Sequence, residues 1–390
     1  MRRRISPAWV FSALSASLAS GYGVLFTIVG DLRDEYGIAE TWLGVLIGAG
    51  FISAFAAQIL IAPLADRGHA RTLIIAGVLA NVVGLLMMAF GTSLVPLLAG
   101  RLVSGVGIGA SLPAIRRIVI LADPDNLGQN LGRLLSADVF GFASGPAISA
   151  ALVGSFGLAS PFLVVSALTL AIIPFALAVT VVETPEETGQ RLALDLLRNR
   201  VVGGAVVLGS AVFLMIGAFD ALWDVVHEDL ATTDCLANIG ITRFALPLVV
   251  LGPTSGRLAQ RIGPFRIGAA GRLAGAGFMF AYGQLPTGGW IFTVAMMHAC
   301  TDGMTVASTG VAISMAVPEE RQAGAQGLMG AAQSLTAGIA APVIASLYEG
   351  PGRAVAYGAA AVGMVVLVAI GVALAWPFIQ DRSRALNYAA

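Results

Sequence analysis

Twelve long apolar runs, each bounded by charge, proline or glycine, follow one another along the 390 residues: 9–30, 41–64, 72–93, 95–119, 130–152, 159–182, 202–227, 236–258, 265–285, 288–315, 322–347 and 353–378. About 20 apolar residues is the length that crosses the hydrocarbon of a bilayer as a helix. Backbone amides find no water there, so each run must satisfy its own, which an α-helix does. Composition agrees. Hydrophobic residues make up 57% and charged residues 11%, with a mean hydropathy of +0.86, against roughly 25% charged in a soluble chain. The expectation is an all-α membrane protein of twelve transmembrane helices, with no room for a large soluble domain.

Arginine placement orients the runs, because loops on the cytoplasmic side collect positive charge. With the amino terminus inside and strict alternation, 17 arginines fall on the cytoplasmic side and 2 outside, with Arg101, Arg243 and Arg272 left within runs. Both termini then lie in the cytoplasm, in a multi-pass protein of the inner membrane. Met1-Arg2-Arg3-Arg4 before an apolar run imitates a signal peptide, but the run continues to Gly30 and suits a first span better. The most polar stretch between runs, 183–201, separates an amino-terminal bundle (1–182) from a carboxy-terminal one (202–390) as a cytoplasmic linker. A related segment follows the second run of each half, Ala62-Pro63-Leu64-Ala65-Asp66-Arg67 and Gly256-Arg257-Leu258-Ala259-Gln260-Arg261, at an offset of 256 − 62 = 194 residues. A duplicated six-helix unit places a solute site near the midplane, where the repeats meet.

The residues present exclude several chemistries. All basic residues are arginine or histidine, with no lysine, so there is no Walker-A lysine for ATP and no lysine for a Schiff base. Cys235 and Cys300 are two isolated thiols, which make neither a disulfide framework nor a metal site. His227-Glu228 lacks the second histidine of a zinc-protease helix. No Gly-x-Ser-x-Gly elbow occurs. Gly105-x-Gly-x-Gly lies inside a span and does not follow a strand, so it is no dinucleotide loop. No enzyme, cofactor, metal or nucleic-acid partner is expected. The expected partners are a small-molecule substrate, protons and membrane lipid, with the chain acting as a monomer.

Three segments then carry a resemblance. Pro63-Leu64-Ala65-Asp66-Arg67 with Arg71 resembles the signature loop after span two of the major facilitator superfamily, although Ala62 replaces the usual glycine and Gly68 comes early. Arg101-Leu102-Val103-Ser104-Gly105-Val106-Gly107-Ile108-Gly109 is similar to that family's arginine-and-glycine motif on span four. Gly141-Phe142-Ala143-Ser144-Gly145-Pro146 resembles the span-five motif of its twelve-span drug:proton antiporters, with Ser149 and Ala150 where glycines are usual. The resemblance covers nearly the whole chain. It implies a major facilitator fold of two pseudo-symmetric six-helix bundles and export of amphipathic, drug-like compounds by proton antiport. A lysolipid, sugar or other metabolite, possibly imported, is the alternative in the same fold, and a non-transporting receptor or scaffold the alternative of another class. The resemblance also implies that spans one, four, seven and ten line the cavity and that Asp66 meets the start of span eleven near Pro318 to Arg321. Physically, Gly105 and Gly109, like Gly141 and Gly145, share a helix face and allow close helix approach, and Pro146 weakens its helix ladder.

Charges inside spans are costly and usually functional. Asp138, Asp220 and Asp302 are the expected proton-coupling acids, with Arg101 and His298 as partners that set their protonation. Asp224, Trp223, Phe219 and Arg243 are the expected substrate-cavity residues. Arg243 could instead pair with Asp220 or Asp224. With Cys235 and Cys300 replaced by serine, single cysteines at Gln190 and Ala385 are expected to resist an impermeant thiol reagent added to intact cells. Ready labelling from outside would overturn the orientation.

Overall fold

The computed structural model describes residues 7–38, 40–181 and 192–380; within its helices, the side chains of Asp220, Asp224 and residues 234–242 are among those outside the description. Each apolar run falls on a helix. In chain order these are α1 (Pro7–Tyr36), α2 (Glu40–Leu60), α3 (Ala70–Phe90), α4 (Leu94–Ala122), α5 (Leu127–Phe156), α6 (Ser160–Ala178), α7 (Arg200–Asp229), α8 (Asp234–Ile262), α9 (Pro264–Tyr282), α10 (Gly288–Thr305), α11 (Ser308–Met315), α12 (Gln322–Glu349) and α13 (Arg353–Gln380). Among the described residues, nine helical segments are long and apolar enough to cross a membrane. Helices α8, α9 and α10 are not among them, and α9 and α10 hold buried Arg272, His298 and Asp302.

The tenth run is split, with α10 ending at Thr305 and α11 starting at Ser308. A broken ladder in an apolar surrounding needs substitute partners. The Val306 amide still donates to Asp302 O at 2.8 Å. The Ala307 amide donates to Ser255 Oγ of α8 at 3.3 Å.

The chain divides into two compact units. The first comprises Met1–Asp125, Arg133–Ala193 and Glu319–Gly327, and the second Asn126–Gly132, Leu194–Pro318 and Leu328–Ala390. The first unit is built on small residues. A Cβ on Gly77 of α3 would stand 2.6 Å from Gly107 O of α4, and one on Gly84 would stand 2.5 Å from Gly100 O. Between them Asn81 Nδ2 donates to Ser104 Oγ at 2.9 Å, fully buried. Gly105 and Gly109 lie against Gly50 and Ala54 of α2, and Gly141 and Gly145 against Ala16 and Gly23 of α1. The glycines of both motifs are therefore helix-contact positions, and α5 continues through Pro146. A cluster of Val24, Leu25, Leu46, Leu85, Leu97 and Phe162 closes one end of this unit.

The second unit has an aromatic core instead. Phe219 and Trp223 of α7, Tyr282 of α9 and Tyr357 of α13 are buried together with Met215, Met279 and Met364. Phe219 packs 4.8 Å from Trp223 and 5.0 Å from Phe244, centroid to centroid.

The glycine seam makes a direct prediction. Gly107→Ala forces a methyl into the α3 backbone and is expected to lower the unfolding temperature in detergent, at an overpacking cost of about 1–3 kcal/mol. Gly44→Ala, where nothing lies within 4 Å, is expected not to lower it. Equal behaviour of the two variants would contradict the seam.

Candidate functional site

Four polar groups stand out in an otherwise apolar interior. The first surrounds Asp66. After α2 the chain makes a tight 3-10 turn, Ala62–Arg67, closed by Gly68 in the left-handed region at φ 80°. A side chain is strained at that φ, which accounts for the early glycine. The turn buries Asp66 to 2% exposure. Its carboxylate accepts from the amides of Ala323 (2.9 Å) and Gly324 (2.7 Å) in the first turn of α12, and from Arg117 Nε of α4 at 3.0 Å. A carboxylate at a helix amino end satisfies orphan amides and meets the positive end of the helix dipole. The contact falls two residues beyond the Pro318–Arg321 segment that the family resemblance implies. Arg71, at the start of α3, donates to Leu177 O at the end of α6, and Arg67 ends the turn half-buried.

In the second unit the corresponding Gln260 does a parallel task. Its Oε1 accepts from the Gly128 amide at 2.8 Å, at the start of α5. The acid of one repeat is a neutral amide in the other.

The second group is an ionic layer between α9 and α10. Arg272 Nη1 stands 3.7 Å from Asp302 Oδ1, and His298 Nε2 stands 3.6 Å from Asp302 Oδ2. Tyr282 Oη and His298 Nδ1 are hydrogen-bonded at 3.0 Å. Arg272 also donates to Thr305 Oγ1 at 3.2 Å. Arg272, Asp302, His298 and Tyr282 are buried, with Arg272 and His298 at 0% exposure. Asp302 Oδ1 and His298 Nε2 have no hydrogen-bond partner. The carboxylate stands at more than hydrogen-bond distance from both Arg272 and His298. Phe278 stacks on His298 at 4.9 Å between ring centroids.

The third group joins three helices of the first unit. Asp138 of α5 accepts from Ser15 Oγ of α1, and from Arg116 Nη2 of α4 at 3.4 Å. Its side chain is 18% exposed and that of Arg116 is 23% exposed. The fourth is Arg101, wholly buried, with its guanidinium carbon 3.7 Å from the Tyr22 ring centroid.

The structure thus brings His298 to Asp302 but does not bring Arg101 to an acid among the described residues of its own unit. Trp223 and Phe219 sit in the core of the second unit. Arg243 is exposed. Asp220 and Asp224 belong to α7, but their side chains lie outside the described residues, and so does any pairing with Arg243.

Residues 10–232, more than half of the chain, match the model of the Major Facilitator Superfamily. The chain belongs to the Major Facilitator Superfamily. It is 24% identical over 355 residues to the tetracycline resistance protein, class C, of Escherichia coli, covering 85% of this chain and 86% of that one. It is 24% identical over 221 residues to the quinolone resistance protein NorA of Staphylococcus aureus, over about half of each chain (54% and 55%). The proton:xylose symporter XylE superposes with a TM-score of 0.80 at 14% identity, over 96% of this chain and 95% of that one, which establishes the fold. This Major Facilitator Superfamily member is accordingly a multi-pass membrane transporter, not an enzyme, and a distant homologue of tetracycline and quinolone resistance proteins.

Sequence reasoning assigned no role to Arg272, the cation that faces Asp302. The signal was available: Arg272 is one of three arginines within apolar runs, and such charges rarely lack a partner. Breaking a buried ion pair by removing one member costs about 3–5 kcal/mol, whereas replacing both by apolar residues is often neutral. Arg272→Met and Asp302→Leu are each expected to lower the unfolding temperature markedly, and the double variant to recover most of the loss. Additive losses in the double variant would show that the two charges do not support each other.

Proposed function

We infer that this transporter is a secondary active exporter, exchanging small amphipathic, drug-like compounds for protons by alternating access. The carrying observation is the buried Asp302, an acid within a span whose Oδ1 lacks a hydrogen-bond partner and whose neighbours are Arg272 and His298. In this reading Asp302 exchanges a proton when the transport cycle opens its surroundings to water on one side and then the other. The break between α10 and α11 lies one turn from Asp302, where helix geometry already departs from a continuous ladder. The distant relationship to tetracycline and quinolone resistance proteins supports export of drug-like solutes. Asp220 is the other candidate coupling acid in this reading, and Asp138 takes the role only if neither couples.

Asp66 acts as a latch in the same cycle. Its two amide bonds and the Arg117 contact hold the first turn of α12 to the Ala62–Arg67 turn. Each cycle that moves α12 breaks them. In the inferred topology this turn, residues 183–201 and both termini face the cytoplasm.

The test is solute flux in proteoliposomes with and without an imposed pH gradient. Asp302→Asn and Asp220→Asn, singly and together, mimic the protonated acid. The double variant is expected to lose gradient-driven accumulation while retaining downhill exchange. A double variant that still concentrates solute in response to the gradient would sink both assignments and move coupling to Asp138. Asp66→Asn weakens the dipole term by roughly 0.3–1 kcal/mol. It is expected to slow transport with little change in solute affinity. A large affinity loss at normal turnover would contradict the latch.

A further inference from the structure

Arg101 is the one wholly buried cation among the described residues whose three guanidinium nitrogens all lack a hydrogen-bond partner. The other two wholly buried arginines face acids, Arg117 at Asp66 and Arg272 at Asp302. Arg101 has no carboxylate of the described residues within ion-pair distance. What it has is the face of Tyr22 at 3.7 Å. A cation over an aromatic face gains some attraction, but far less than burial of an unpaired charge costs. Deprotonation offers no escape, since a guanidinium stays charged in proteins. A charge left in that condition is matched to an anion that arrives from elsewhere.

The surroundings are shaped for one. Tyr22 Oη is also buried and without a partner. Both orphan groups converge over Gly50 of α2, because a Cβ added there would stand 2.7 Å from Arg101 Nε and 2.8 Å from Tyr22 Oη. The missing side chain lets both groups lie directly against the α2 backbone. Phe51 meets Tyr22 edge-on at 5.0 Å, which gives the polar spot an aromatic flank. Gly105, one turn along α4 from Arg101, sits on the Gly50 carbonyl and fixes the height of α4 against α2. The guanidinium supplies parallel N–H donors that match the two oxygens of a carboxylate, and the phenol supplies one more donor.

We propose that Arg101, Tyr22 and Gly50 form a binding site for the carboxylate of an amphipathic organic acid carried by this transporter. The proposal rests on the reading of the chain as a solute transporter and names the chemistry of the solute. It assigns Arg101 to the solute, in place of the proton-coupling role that the family resemblance implies. Asp302, the coupling acid of the proposed function, belongs to the other unit.

The experiment measures binding to the purified full-length protein by equilibrium dialysis, against a protein-free micelle blank at fixed pH and salt. The probes are 2-naphthoate and octanoate, their uncharged amides 2-naphthamide and octanamide, and bromide. Wild-type protein is expected to bind at least one carboxylate about tenfold or more tighter than its amide, the usual range for a charged hydrogen bond. Arg101→Lys keeps the charge and loses the fork, and is expected to weaken carboxylate binding severalfold. Tyr22→Phe removes one donor and is expected to do the same. Gly50→Ala keeps both residues but puts a methyl where their polar atoms converge, so that they must move apart, and is expected to lose carboxylate binding. Gly48→Ala, with nothing within 4 Å, is the matched control and should bind as wild type. Size-exclusion profiles report on folding of each variant, and the wild-type comparison needs none of them. Equal binding of acids and amides, no binding of either acid, competition by bromide alone, or undiminished binding in Gly50→Ala and Arg101→Lys would each overturn the site. A protein that binds naphthoate but shows no gradient-driven flux keeps the anion site and loses the antiport reading. One that shows gradient-driven flux of a cation and ignores both acids does the reverse.

Discussion

An amide or a charge in hydrocarbon has no solvent to fall back on, and an unsatisfied one costs several kcal/mol. That constraint organises this chain. It makes each apolar run a helix. Where the tenth run breaks, it brings Ser255 to the Ala307 amide. Where α12 begins, it brings Asp66 to two of the orphan amides, and where α5 begins it brings Gln260 to Gly128. The buried arginines obey the same rule. Arg117 and Arg272 have acids beside them, and Arg101, which has none among the described residues, is where the ligand is proposed to sit.

The twelve runs were legible because apolar length alone decides whether a segment can span. Their edges were less so. The first run was read as ending at Gly30, yet α1 continues to Tyr36 through Asp31, Arg33 and Asp34, because a helix persists beyond the apolar slab when its polar end meets water. The split between α10 and α11 left no proline in the sequence to announce it. It depends on a hydroxyl from another helix, and single-segment patterns carry no such information.

The polar groups were legible as residues but not as pairs. Depth within a run can be counted from the sequence, while the rotational phase of one helix against another cannot. Asp302 and Arg272 were both visibly intramembrane, but only packing of α9 on α10 aims them at each other. The i,i+4 relation of His298 to Asp302 needed no tertiary knowledge, and it was legible. Phe219 and Trp223 show the opposite limit. An aromatic residue on an apolar helix suits a cavity wall, a lipid face or a core equally well, and the structure puts these two in the core. Asp66 was placed near the start of span eleven by the family resemblance, not by its local sequence, and its amide partners are Ala323 and Gly324.

The repeat also exposes a contrast between seams. In α3 and α4 of the first unit Gly77 meets Gly107, so that backbones touch; in α9 and α10, the corresponding helix pair of the second unit, a cation and an anion, Arg272 and Asp302, are held 3.7 Å apart. A seam of glycines is sensitive to added volume and holds no ion pair for water to screen. A seam of opposite charges holds firmly only while it is dry, since water raises the local dielectric and weakens the attraction as it relieves the cost of burial. Wetting is therefore expected to act on the contact of α9 with α10 more than on that of α3 with α4, an asymmetry between repeats of common plan.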